Sequence, residues 1–383
     1  MAIGQIDGWT VVTPSADSRI VYIAAESSGG NDASAAAVYG RGYYLPSDPE
    51  IGSDPTQPVG AVVAYRNPQE ALKVLRGTGV SPGGAPEWIL FRRGDTFPNS
   101  IMDGNYTYWG QGGPSFWGIW RWAWTGTAFS YQAGMYRGRS ETERFVISAW
   151  GSVSQPRPIF PDGFTVRANL WNTVVSSLDI KGLSFENSND GYQNTLVEDC
   201  RTTGHGMMAI QGGNNLTNLV IRRCVITDGF NPGGHNSAPF VGLNEGARLT
   251  MEECVFDRNG YKENPSDATK WTGEYTSNLS SGGSGEPGTG VQPTRTFFDR
   301  NWYLSGNAGK TLIVRGNIAA RTGGGAEQMR SGGLAYRNVF LFNHDGLLGG
   351  SNEAQYGFND VFFVQNLFLH DDLFLPPGGW GMN

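Results

Sequence analysis

The chain reads as all-β: a right-handed parallel β-helix behind an N-terminal capping region that contains one short helix. Three observations lead there. Short runs of alternating apolar character recur roughly every 20 to 30 residues, the spacing of solenoid coils. Turn dipeptides follow these runs at a constant phase. Glycine supplies 56 of the 383 residues while charged residues make up only 16%, against roughly a quarter in an average domain. Such a chain is rich in turns and uncharged polar surface, which suits β-solenoids and not helical bundles.

The recurrent runs are LDIKGLSF, TLVEDCRT, LVIRRCVI, LTMEECVF, LIVRGNIA, LAYRNVFL and VFFVQNLF. Aligned to within a residue, Leu183, Cys200, Cys224, Cys254, Asn317, Asn338 and Asn366 share one column. Alternation turns Leu219, Ile221 and Ile226 inward with Leu249, Met251 and Phe256 directly above them, so like side chains stack into a continuous core. Inward asparagines can bond amide to amide along the axis. Asp190-Gly191, Thr203-Gly204, Asp228-Gly229, Asn259-Gly260 and Asp345-Gly346 supply turns, because glycine tolerates positive φ. Parallel crossovers are right-handed in nearly all sheets, which sets the hand. Residues 201–213 also align with 321–333 without a gap.

The expected organisation is an arm over 1–20, a cap with an aromatic-rich insert over 21–155, and coils over 156–383 interrupted by a long loop at about 258–298. Within the cap, RIVYIAA and EWILFRRGDTF read as strands. Between them Asn67 can cap a helix, Pro68 suits its first position, Glu70 completes a capping box and Gly77 can end it. The apolar face Ala71, Leu72 and Leu75 would close an open solenoid end, whose strand edges otherwise invite aggregation.

The formal charge of −7 would repel a phosphate backbone, so nucleic acid is not an expected partner. No apolar run approaches the roughly 20 residues that span a bilayer, so no membrane insertion is expected. MAIGQIDGWTVVTPSADSR carries neither a basic nor an apolar leader segment. A virion or extracellular location follows, reached as part of a particle or after removal of a signal. The cysteines, odd in number and recurring at one phase, read as small stacked core residues and not as a disulfide framework.

RIVYIAAESSGGND, WILFRRGDTF, NLVIRRCVITDG and LIVRGNIAARTGGGAEQMRSGGLAYRNVFLFN resemble bacterial and phage right-handed β-helix repeat proteins, and the similarity covers most of the chain. This grouping includes pectate, alginate and chondroitin lyases, polygalacturonases, and phage tailspikes that bind or depolymerise host polysaccharide. A fold does not by itself carry an activity. The resemblance implies a polysaccharide partner. The first expectation is a surface-polysaccharide-binding attachment protein of a phage-like virion, homotrimeric like spikes and in contact with other virion proteins. The alternative is a secreted lyase acting on a uronate-containing glycan by β-elimination.

Several side chains are candidates for that chemistry. Trp and Tyr offer apolar faces to sugar C–H groups and a polar edge to hydroxyls, which singles out Trp109, Trp117, Trp120, Trp122 and Trp124. The alternative is that these rings hold the insert against the coils. GGGAEQMRSGG resembles the Glu-x-x-Arg region of alginate and chondroitin β-helix lyases, which implies Glu327 as a cation or substrate ligand and Arg330 as the catalytic cation; a surface ion pair is the plainer reading. His235, in NPGGHNS, is the candidate base. Hydrolysis would need two carboxylates about 5 to 10 Å apart, and Asp228, Glu252, Glu253 and Asp257 lie on neighbouring coils. No His/Cys spacing suggests zinc. Turns rich in Asp, Asn and carbonyls suit Ca2+, without a calcium-loop motif.

Overall fold

A computed structural model describes residues 4–6, 9–75, 86–98, 123–124, 129–130, 136–161, 164–166, 170–181, 183–185, 193–203, 209–210, 217–228, 240–243, 248–259, 301–306, 311–322, 327–329, 332–343, 347–349 and 360–369. These residues are mostly strand, arranged in long parallel sheets with very few helices, consistent with a parallel β-helix. The chain divides into two compact units, Met1–Ile180 with Asn187–Cys200, and Lys181–Glu186 with Arg201–Asn383.

In the first unit, Arg19–Ile23, Glu87–Arg92, Phe145–Trp150, Thr173–Ser176 and Gln193–Glu198 form a parallel sheet in that order. RIVYI, EWILF and FVISA are almost continuously apolar because both faces are covered; Ile20, Tyr22, Ile23, Ile89, Leu90 and Phe91 are fully buried. Arg19 and Glu87, opposite one another at the strand starts, form a buried ion pair. Pro68–Leu75 is helical as the sequence predicts, with Ala71 and Leu75 buried. The expectation of a single helix needs correction. Asp32–Ala36 is a second one, begun by Asn31, whose Oδ1 accepts the Ser34 N–H at 2.9 Å. The signal was an Asn N-cap ahead of an alanine-rich stretch.

The second unit contains three parallel sheets, and successive coils place one strand in each. The first holds Thr217–Arg222, Arg248–Glu252, Thr311–Arg315, Gly333–Tyr336 and Val361–Val364. The second holds Arg201–Thr203, Val225–Thr227, Val255–Asp257, Ile318–Ala320, Val339–Leu341 and Leu367–Leu369. The third holds Leu183–Phe185, Ala209–Ile210, Phe240–Leu243, Tyr303–Gly306, Glu327–Met329 and Leu347–Gly349. Leu219 pairs with Leu249, Ile221 with Met251 and Ile226 with Phe256, all buried, as the alternation predicts. Trp302 is also core, edge-on to Phe256 at 5.1 Å.

The column of small and amide residues is in register, because the strand residues following Cys224, Cys254, Asn317, Asn338 and Asn366 pair in succession. The Cys254 N–H donates to Asn317 Oδ1 at 2.9 Å, that of Asn317 to Asn338 Oδ1 at 3.1 Å, and that of Asn338 to Asn366 Oδ1 at 3.0 Å. Each amide Nδ2 donates inward to a backbone carbonyl: Asn317 to Met251, Asn338 to Val314, Asn366 to Ala335. A second buried ladder runs from Asn259 Nδ2 to Asn301 Oδ1 at 2.8 Å and from Asn301 Nδ2 to Glu327 Oε1 at 2.7 Å.

Three details depart from the sequence reading. Leu178, not Leu183, stands where the column requires, since LDIKGLSF holds two strands, Asp179–Lys181 and Leu183–Phe185. The gapless match of 201–213 to 321–333 is out of phase: Arg201 belongs to the row of Val225, Val255 and Ile318, whereas Arg321 follows that strand. Finally, many described corners are turned without glycine. Gly316, with φ 64°, is the exception; Ser177, Asp199, Arg223, Glu253, Arg337 and Gln365, each just before a column residue, have φ between 51° and 58°, and Asp228, Arg258, Arg321 and Phe342, at the next corner, between 49° and 60°. Their side chains pair between coils, as Ser177 Oγ with Asp199 (2.8 Å), Arg223 with Glu253 (2.7 Å) and Arg337 with Gln365 (3.0 Å).

Candidate functional site

The strand ends of the first unit build a cleft of about 450 Å³, within the size range of small-ligand sites. Arg92 pairs with Trp150 across the Glu87–Arg92 and Phe145–Trp150 strands, and Ala24 follows Ile23 one position beyond its pairing with Phe91. Register alone therefore brings Ala24, Arg92 and Trp150 into one row at the carboxyl ends of three strands. The remaining walls are Ser28, Gly29, Gln57, Gly60 and Ala61, Gly151 and Ser152 with their neighbours.

Each wall is pinned. Trp150 Nε1 donates to the Ile23 carbonyl at 3.1 Å, and its ring meets the Tyr22 ring edge-on at 5.1 Å. Tyr22 is fully buried, which pushes its phenol well above the ordinary value, and it donates to Pro55 O at 2.8 Å. That bond fixes the 55–58 segment, as do Gly151 N–H to Thr56 O (2.9 Å) and Gln57 Nε2 to Gly151 O (2.5 Å). Gly30 must be glycine: a Cβ there would stand 2.1 Å from Ala24 O. This close return of the chain sets the Ser28–Gly29 rim.

Electrostatically the cleft is one-sided. Arg92 is half-buried, donates Nη1–H to Ser28 O at 2.7 Å, and lies with Cζ 5.9 Å from the Trp150 ring centroid. Among the described residues no carboxylate forms an ion pair with it. The nearby buried Asp95 is committed elsewhere, accepting from Ala25 N–H at 2.8 Å and Ser28 Oγ at 2.5 Å. Arg92 is thus the ionisable group that lines the cleft, beside an aromatic ring and hydrogen-bonding amide and hydroxyl groups.

The residues singled out from sequence are distributed differently. Trp109, Trp117, Trp120, Trp122, Arg330 and His235 lie outside the described residues, as does most of the 258–298 loop; Trp124 is on the short strand Ala123–Trp124, its side chain likewise outside them. Glu327 is fully buried at the end of the Asn259–Asn301 ladder, so its carboxylate is enclosed among core amides. The four carboxylates weighed for hydrolysis are each engaged by arginine. Glu252 sits between Arg315 (2.6 Å) and Arg222 (3.9 Å), Glu253 pairs with Arg223 (2.7 Å), Asp228 with Arg258 (2.9 Å) and Asp257 with Arg321 (2.7 Å). Carboxylates held this way are poorly placed to share a proton with a substrate. No three His, Cys, Asp or Glu side chains come together as a metal site among the described residues.

Sequence reading missed Arg92 and Trp150 because neither belongs to the repeat. The available signal was a large amphipathic residue ending each of two apolar strands. Compared with family models, curated proteins and solved structures, the chain gives no match, and the site is therefore read from its own chemistry.

Proposed function

We propose that the chain is a right-handed parallel β-helix that grips a surface polysaccharide, as an attachment protein of a phage-like particle acting as a homotrimer. The observation that supports this reading is the register of the first sheet in the second unit. Val220, Thr250, Ile313, Leu334 and Phe362 form one row, half-buried to exposed, alongside the alternating charges of the buried Arg222 and Glu252 and the exposed Arg315. A row that repeats about every 4.8 Å presents the same kind of surface to each unit of a polymer lying along it. That geometry suits a long repetitive chain better than a compact metabolite. The resemblance to phage spikes extends the proposal to the particle and to three chains.

The test is retention of the purified protein on capsular and uronate-containing polysaccharides, with and without Ca2+, while unsaturated-product absorbance and chain length are followed. Retention without cleavage is expected. Cleavage with unsaturated ends, lost in Arg330→Ala, would establish the lyase alternative instead, and failure to bind any host glycan would end the binding proposal. Light scattering is expected to report three chains per particle.

A further inference from the structure

We propose that the Arg92–Trp150 cleft of the first unit binds one sugar unit bearing an acidic substituent, a carboxylate or a sulfate ester. The inference rests on the carbohydrate-binding reading and adds to it a second site, on the strand ends of the first unit.

Two properties of the cleft carry it. Arg92 is a half-buried guanidinium whose Nη1–H is committed to Ser28 O, while the rest of its planar N–H fork is unspent among the described residues. That fork matches the two oxygens of a carboxylate or sulfate, and a partly desolvated guanidinium binds such an anion more strongly than an exposed one does. Beside it, the Trp150 ring supplies an apolar face of the kind that packs against sugar C–H groups. Gly29, Gly60 and Gly151 line the same space without side chains. A Cβ at Gly29 or Gly151 would meet nothing within 4 Å, so this stretch of wall is open enough for a ring to approach the backbone. Gln57 and Ser152 add amide and hydroxyl groups to the rim. The acidic group of the ligand would sit on Arg92 and its ring on Trp150.

The experiment uses the full chain in calorimetric titrations with galacturonate, galactose 6-sulfate and galactose, at fixed ionic strength. At least tenfold tighter binding of the acidic sugars than of galactose is expected. Arg92→Gln should abolish that preference, and Arg92→Lys should keep part of it. The preferred acid identifies the source of the charge. Equal binding of acidic and neutral sugars, an unchanged preference in Arg92→Gln, or acetate binding as tightly as galacturonate would each overturn the inference. Should Arg92→Gln fail to fold, acetate competition against galacturonate on the wild-type chain decides the same point: strong displacement by acetate overturns the inference, and weak displacement supports it. Retention on polysaccharide by an Arg92→Gln protein with intact acid preference would sink the cleft and leave the broader reading standing. Specific galacturonate binding without retention on any polysaccharide would do the reverse.

Discussion

The Asn338 side chain makes four hydrogen bonds within the column. Its Oδ1 accepts from both the backbone N–H and the Nδ2 of Asn317, and its Nδ2 donates to Val314 O and Asn366 Oδ1. Truncation would leave several buried partners unsatisfied, so Asn338→Ala should cost about 2 to 3 kcal/mol in urea unfolding. Cys224 fills the same column with a sulfur 3.3 Å from Arg222 O, and Cys224→Ala should cost only about 1 kcal/mol. A different residue-scale test concerns Arg139, which bonds both Asp17 and Glu143. Those hydrogen bonds hold both carboxyls below their ordinary values. The contribution to stability is therefore present at neutral pH and is lost as pH falls through the folded-state values. Because the groups are largely exposed, the effect on stability is small. Carboxyl NMR titration should place both below ordinary carboxylates, and Arg139→Gln should return them to the usual range.

At the scale of strands and corners, the alternation of apolar residues was legible, because each strand buries one face against the coil interior. The corners were not. A left-handed backbone at a non-glycine residue costs about 1 to 2 kcal/mol, so sequence reading looks for glycine there, yet Arg223, Glu253 and Arg337 occupy these positions. Exposed ion pairs between coils offset only a fraction of that cost. Where the next residue is asparagine, its amide bonds supply the remainder, a tertiary contribution that no local dipeptide signals. Gly316 is the exception that tests this account. Its φ is 64°, and a Cβ placed on it would find no atom nearer than 3.8 Å. Gly316→Ala should therefore lose about 1 to 2 kcal/mol through backbone strain alone, measurable by thermal or urea unfolding. The Arg92–Trp150 cleft was hidden for a related reason: its two principal residues lie on strands far apart in the sequence, and only parallel pairing makes them neighbours.

For the molecule as a whole, long parallel sheets with very few helices are what composition and periodicity sufficed to read. What they could not convey is which residues share the outer row or the strand-end cleft, since both are products of pairing. The Asn317–Asn338 step has a further consequence. Among the described residues each asparagine rung bonds to the rung before it and the rung after it, so the segment 317–337 adds one step to the series. Deleting it would bring Asn338 directly after Gly316, offering its Oδ1 to the Cys254 N–H in place of that of Asn317. The shortened protein should fold cooperatively, with its urea m-value lowered in proportion to the surface removed; collapse of the transition would contradict this. A chain assembled from such exchangeable rungs can change the number of strands in its parallel sheets by whole turns, while the cleft of the first unit keeps its walls unaltered.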